Sequence, residues 1–353
     1  MGETLDAWKQ ADSVAGVSEL RQNGRFSGLW RKHGFLMGLV MAVMAGFVYP
    51  QGGGKEAWLP PVWVSQGGIA LILLMQGLSL PLDEVRKGLA SWKLHAVIQG
   101  FTFVVFPLAG WILDAALPAL WPGIPTSLRH GFLYLCVLPS TISTSVVFTA
   151  LARGNTAGAL FNAALSNLAG VILTPVLVHL LMMQTMAGGG GEFGPLLGKI
   201  SLLTLLPFAV GMLLRPMVRE WVDGHKVWVG RISNAVILYI VYIAFCDSVT
   251  SGIWAKYGWR MMIPAVVLTC GLFGVMSLLV MAACRGLGLG RGDRIAAYFC
   301  GVKKTLAMGV PLAALIFGAD ADLSLILLPV MLYHPVQLLA NGALAARWAA
   351  DGK

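Results

Sequence analysis

Two adjacent lysines, Lys303 and Lys304, stand near the centre of an apolar stretch, 295–318, long enough to cross a bilayer. A charged side chain at that depth costs at least ~2.5 kcal/mol on insertion scales and needs a polar or hydrated place inside the protein. Gly301, Gly309 and Pro311 flank the pair and weaken the helix around it. A second apolar stretch, 130–153, carries Pro139-Ser140-Thr141-Ile142-Ser143-Thr144-Ser145, a proline followed by five hydroxyl residues in six positions. Proline removes one helix hydrogen bond and clashes with the preceding turn, and small hydroxyls satisfy the freed backbone groups. Interrupted helices at mid-membrane face bound ions or substrate with their half-helix ends, so the chemistry here is ion or anion binding.

No acidic residue sits mid-span to pair with the lysines. Asp114 and Asp247 fall near outer ends, and Asp320 and Asp322 lie in a loop. The ammonium groups must therefore meet carbonyls, hydroxyls, water or an anionic ligand, or release a proton. They are otherwise structural donors to the broken backbone of 130–153. Adjacent helical residues point about 100° apart, so one lysine can face an ion position and the other a substrate cavity. Sequence leaves open which is which. Asn162 and Ser166 share a helix face at i, i+4, with Asn167 beside them and Asn155 two turns earlier. They serve either as ion oxygens or as interhelical hydrogen bonds. Gln66, Gln76 and Gln99 are either polar cavity residues or packing residues, and His334, before Pro335, is either a packing histidine or a proton relay.

These residues need elements to hold them, and the composition says which kind. Of 353 residues 57% are hydrophobic and 12% charged, with mean hydropathy +0.76, whereas soluble domains are about 25% charged. An ordinary soluble enzyme is excluded. Segments of about ten residues with period-2 alternation, the mark of a membrane barrel, do not occur. Ten spans are predicted: 34–50, 61–81, 94–117, 130–153, 156–183, 195–215, 231–251, 261–284, 295–318 and 324–346. The net charge of +9 reflects topology rather than nucleic-acid binding. With the N-terminus in the cytoplasm, Arg21, Arg25, Arg31, Lys32, Arg86, Lys87, Lys93, Arg153, Arg215, Arg219, Lys226, Arg231, Arg285, Arg291, Arg294 and Arg347 fall inside. Only Lys55, Arg129, Lys199, Lys256 and Arg260 fall outside. Both termini are then cytoplasmic, in the inner or plasma membrane.

Gly188-Gly189-Gly190-Gly191 lies within an external linker, 184–194, that divides the chain into five-span halves, 34–183 and 195–347, of opposite topology. The interrupted spans occupy the fourth place of each half. Inverted repeats with matched broken helices characterise secondary transporters. Residues 1–33 read as a cytoplasmic tail without the apolar region of a cleavable leader, and 348–353 as a second tail. Trp58, Trp63, Trp121, Trp254 and Trp259 cluster at outer ends like an interfacial belt. Cys136, Cys246, Cys270, Cys284 and Cys300 show no metal spacing and read as packing residues. No GxxxxGK[ST], HExxH or carboxylate pair suggests ATP hydrolysis or other enzyme chemistry, and Arg285 to Arg291 reads as a glycine-rich turn.

Gln76-Gly77-Leu78-Ser79-Leu80-Pro81-Leu82-Asp83-Glu84, Leu151-Ala152-Arg153-Gly154-Asn155, the segment 138–175 and the tail from Leu323-Ser324-Leu325 through Tyr333-His334-Pro335-Val336-Gln337 together resemble the bile acid:sodium symporter superfamily. The likeness is to its SBF-like branch, typified by solute carrier family ten member seven, over 34–347. The resemblance implies ten helices in two inverted repeats. A panel domain would come from 34–81 and 195–251, and a core domain from 94–183 and 261–346, with the fourth and ninth helices unwound and crossed. Sodium-coupled relatives bind two ions behind that crossing. Ser145 and Gly301 match the pattern those relatives use. Val146, Ala159 and Ala163 replace an asparagine and two hydroxyls, Phe299 and Lys303 replace a glutamate and a glutamine, and Thr102 stands where span three offers a glutamine.

The expectation is an all-α membrane protein that is not an enzyme, a secondary transporter of a small organic anion. Its substrate or ion site would comprise Ser140, Thr141, Ser143, Thr144, Ser145, Asn162, Ser166, Asn167, Lys303, Lys304 and Thr305, with Thr102, Gln76, Gln99, His334 and Gln337 around it. A lysine ammonium replaces the ion, a degenerate sodium site near Ser145, Asn162 and Ser166 is the other reading, and the coupling ion is sodium, a proton or neither. No other cofactor is expected, and the partners are the lipid bilayer and the anion. The alternative is a membrane regulator, for example of calcium handling, on the same fold.

Overall fold

The computed structural model describes residues 25–53, 61–79, 91–182, 193–252, 255, 261–317 and 322–350. The glycine run 188–191, the Leu80 to Glu84 part of the resemblance motif, Asp320 and the tryptophans Trp58, Trp254 and Trp259 lie outside them. The chain divides into two compact units, 1–41 and 42–353. Among the described residues every regular element is helical: α1 (Arg25–Val48), α2 (Pro61–Leu78), α3 (Trp92–Leu120), α4 (Thr126–Val137), α5 (Ser143–Leu151) and α6 (Thr156–Met182). They continue as α7 (Phe193–Gly224), α8 (Lys226–Thr250), α9 (Met262–Gly286), α10 (Arg291–Gly301), α11 (Leu306–Phe317) and α12 (Leu323–Ala350).

Seven described stretches are long and apolar enough to cross a bilayer, α10 with α11 forming one of them; Gly34–Val48 and Gly67–Leu78 are shorter apolar helices. Several helices outrun the apolar segments that predict them. α7 continues from 215 to Gly224 because its polar end is held by charge pairs, Arg215–Asp223 at 3.9 Å and Arg219–Asp223 at 3.7 Å. Helix also begins at Arg25, inside the segment read as a tail, and α12 runs on to Ala350. Hydropathy marks what crosses lipid, while the backbone hydrogen-bond ladder continues past it.

Helix α2 packs against α7 and α8. Glycines set the first approach: a Cβ on Gly77 would strike the carbonyl of Phe208, and one on Gly211 the carbonyl of Leu74. Small residues bring helices close where lipid supplies no hydrophobic drive between them. Arg215 on α7 also donates to the Leu78 carbonyl at the end of α2. The remaining helices form the frame of the site. α4 packs on α3 and α12, α10 on α3, α5, α6 and α9, and α11 on α12. One apolar cluster, of Leu117, Leu128, Phe132, Met261, Ala265, Leu325 and Leu328, ties α3, α4, α9 and α12 together. The ion pair of Asp114 and Arg129, 2.8 Å, joins α3 to α4. Of the cysteines, Cys270 is exposed on α9 rather than packed, and the other four are buried.

Candidate functional site

Helix α4 stops at Val137 and α5 starts at Ser143; α10 stops at Gly301 and α11 starts at Leu306. The two breaks meet. Thr305 N–H donates to the Pro139 carbonyl at 2.9 Å, Ser140 Oγ to the Cys300 carbonyl at 2.7 Å, and Ser145 Oγ to the Phe299 carbonyl at 2.9 Å. A broken helix in an apolar setting must find a donor for each freed carbonyl, and here the set is complete from residue 136 to 140. Lys304 serves Cys136 and Leu138, Thr174 serves Val137, Thr305 serves Pro139 and Asn167 serves Ser140. On the other strand of the crossing, Tyr333 Oη donates to Val302 at 2.6 Å and Gln337 Nε2 to Lys304 at 2.9 Å. Proline 139 nests where α6 has only Gly170, whose Cβ would lie 2.6 Å from the ring.

The two lysines, both buried, have opposite surroundings. Lys304 Nζ donates to the carbonyls of Leu138 at 2.7 Å, Cys136 at 2.8 Å and Thr102 at 3.2 Å, and sits 4.1 Å from the centre of the Phe106 ring. Its own backbone is clamped by Gln337, which accepts from Lys304 N at 3.0 Å. The Thr102 carbonyl comes from a π-helical turn in α3, Phe101–Val105; such turns shift the helical ladder and recur at functional sites. Among the described residues Lys303 Nζ has no hydrogen-bond acceptor. It lies 4.1 Å from the centre of the Phe148 ring and 5.8 Å from that of Phe299. An ammonium over an aromatic face is attracted to the ring quadrupole, though far less than to a hydrogen-bond acceptor.

The other expected residues separate into groups. Ser140, Ser145, Ser166, Asn167, Thr305, Thr102 and Gln337 converge on the crossing, with Ser166 Oγ accepting from Ser140 N at 3.0 Å. Thr141 and Thr144 bond each other at 2.7 Å, and Thr141 reaches Ser145 at 3.3 Å. Ser143 is exposed on α5. Asn162 does not share partners with Ser145 or Ser166: its amide meets His95 Nδ1 at 2.9 Å and Gln99 at 3.3 Å, between α6 and α3. Gln76 Nε2 donates from α2 to the Ala307 carbonyl of α11 at 3.4 Å. His334 Nδ1 lies 3.2 Å from Gln337 Nε2.

Sequence reasoning missed His95, Phe106, Phe148 and Asn341. The spacing of His95, Gln99 and Thr102, i, i+4, i+7 on α3, is a signal that was there to read. Asn341 is fully buried, and among the described residues both its amide atoms lack a partner. It sits seven residues from His334 and from Trp348, and Trp348 packs on Phe299 with ring centroids 5.4 Å apart. That interval returns to the same helix face within about 20°, which places Asn341 on the face of α12 turned to the Phe299 layer. The crossing thus holds one lysine fixed by backbone oxygens and a second that meets two aromatic rings and, among the described residues, no hydrogen-bond acceptor.

The model of the SBF-like CPA transporter family matches residues 33–350. The chain is 35% identical over 314 residues to "Putative symporter YfeH" of Escherichia coli (strain K12), covering 89% of this chain and 92% of that one. It is 37% identical over 318 residues to protein PA2026 of Pseudomonas aeruginosa, again 89% and 92% of the two chains. With "Sodium/bile acid cotransporter 7" of Xenopus tropicalis it shares 29% identity over 316 residues, 89% of this chain and 91% of that one.

Proposed function

The chain belongs to the SBF-like CPA transporter family, an integral membrane protein of α-helices, and on that premise we propose that it is a secondary transporter of a small organic anion. In this reading ten spans form two inverted repeats, 34–183 and 195–347. A core of 94–183 and 261–346 moves against a panel of 34–81 and 195–251, exposing the crossing of the breaks to each side in turn. Both termini are cytoplasmic and the membrane is the inner or plasma membrane, as the basic loops imply.

One observation carries the reading: two breaks in separate halves of the chain bond to each other and bury two lysines with no described carboxylate among their hydrogen-bond partners. A packing kink needs no charge. A site for an anion does, and Lys303, the ammonium without an acceptor among the described residues, is the group that would meet the substrate's negative end. The names of the relatives include sodium, but Phe299 and Lys303 stand where the resemblance calls for ion ligands. The expected transport is therefore independent of sodium.

The test is exchange in proteoliposomes. The purified chain, reconstituted and preloaded with a set of unlabelled mono- and dicarboxylates and taurocholate, should accumulate at least one labelled counterpart saturably, at equal rates in sodium and in choline. A steep sodium dependence would overturn the coupling, and the absence of exchange for every organic anion tried would overturn the transport reading.

A further inference from the structure

All three N–H bonds of the Lys304 ammonium go to backbone oxygens, those of Leu138, Cys136 and Thr102 at 2.7, 2.8 and 3.2 Å, and the Phe106 ring stands 4.1 Å away. Two of these oxygens close the C-terminal end of half-helix α4, the end at which the helix dipole is negative and attracts cations. The third is supplied at the π turn of α3. Backbone carbonyls converging on one point from separate elements are how proteins replace the hydration shell of a monovalent cation. Among the described residues no carboxylate contributes an oxygen to this cage, so its preference for a single positive charge comes from the carbonyl dipoles and the Phe106 ring face. Gln337 holds the Lys304 backbone through both its N–H and its C=O, at 3.0 and 2.9 Å, so the ammonium is anchored at both ends of its side chain.

We propose that this cage is a monovalent-cation site whose occupant is the Lys304 ammonium itself, so that the chain passes through its conformational cycle without taking up a dissolved cation. Removing the side chain then converts a self-filled site into one that binds ammonium, methylammonium or an alkali cation. The cycle part rests on the reading of the chain as a transporter; the binding part does not.

The binding part is tested by thermal unfolding of the full-length chain in detergent, with choline chloride replaced at constant ionic strength by ammonium, methylammonium, potassium or sodium chloride. Wild type should show no saturable response to any of them. Lys304→Ala should unfold several degrees lower in choline and recover most of that loss, saturably, in ammonium or methylammonium. A saturable stabilisation of wild type by sodium overturns the proposal without need of any variant. Lys304→Ala that is indifferent to every cation, or that fails to fold in ammonium as it does in choline, overturns it as well, because the cation alone then does not replace the side chain.

In the exchange assay, wild-type rates should not change among these salts, and Lys304→Ala should regain at least a tenfold loss of rate when ammonium is added. If wild type exchanges no anion, the transport reading fails while the unfolding experiment still decides the cage. If wild type exchanges and Lys304→Ala binds ammonium without regaining exchange, the cage stands as a binding site and its part in the cycle is rejected.

Discussion

The backbone N–H of Thr305 donates to the carbonyl of Pro139 at 2.9 Å, which stitches the break between α10 and α11 to the break between α4 and α5. Each break supplies what the other lacks. Proline 139 leaves carbonyls without helical donors, and the segment 302–305 brings a backbone N–H and a lysine to two parts of that gap. Separating the two segments would leave buried polar groups of each without partners, a cost of roughly 1–3 kcal/mol per group.

The hydroxyl stitches should be measurable one at a time. Ser140→Ala and Ser145→Ala leave the buried carbonyls of Cys300 and Phe299 without the donors they now have, which costs roughly 1–3 kcal/mol each. Ser143→Ala, at an exposed position, should stay within about 0.5 kcal/mol of wild type. Denaturant titration in mixed micelles compares the three, and equal stability of all of them would mean that the crossing is held by packing alone.

Gln337 both accepts from and donates to the Lys304 backbone. Gln337→Leu should lower stability by roughly 2–3 kcal/mol by orphaning two buried groups. Gln337→Glu keeps the acceptor but loses the donor, and brings a carboxylate near Lys304. If that carboxylate competes with Leu138 and Cys136 for the ammonium, exchange should fall more than stability does. A Gln337→Glu chain that exchanges at the wild-type rate would show that the exact seat of the ammonium is unimportant.

Between α2 and α7, Gly77→Ala and Gly211→Ala force a methyl against a facing carbonyl and should destabilise by about 1–3 kcal/mol. Gly271→Ala on α9 meets nothing within 4 Å and should be neutral or stabilising by up to about 1 kcal/mol. Unfolding midpoints of the three variants, measured side by side, check the sign difference; a Gly77→Ala chain as stable as Gly271→Ala would place the α2 and α7 backbones farther apart than described.

Much of this was legible in the sequence, for reasons that also explain what was not. Pro139 with its hydroxyl run and the lysine pair beside Gly301 each violate what a lipid-spanning helix tolerates, so the sites of interruption could be read locally. The division of labour between Lys303 and Lys304 could not. It depends on a π turn at Phe101–Val105 that brings the Thr102 carbonyl into reach, and nothing in the residues of that turn announces the extra register. Asn162 and Ser166 share a helix face as their spacing requires, yet Asn162 bonds toward His95 and Ser166 toward Ser140, because different helices cross that face at different heights. The polar extension of α7 to Gly224 was hidden because hydropathy registers lipid contact and is blind to the charge pairs that continue a helix beyond it.

That two neighbouring lysines do opposite work is the centre of this account, and one paired measurement reaches it: the stabilities of Lys303→Met and Lys304→Met. Lys304→Met leaves the carbonyls of Leu138, Cys136 and Thr102 without their donor and should cost roughly 3–5 kcal/mol, the scale for breaking a buried charged contact. Lys303→Met replaces an ammonium that has no acceptor among the described residues by an apolar side chain and should be neutral or stabilising, while abolishing saturable anion exchange. Equal losses in the two variants, or a larger loss for Lys303→Met, would contradict the assignment of Lys304 to the carbonyl cage and of Lys303 to the substrate.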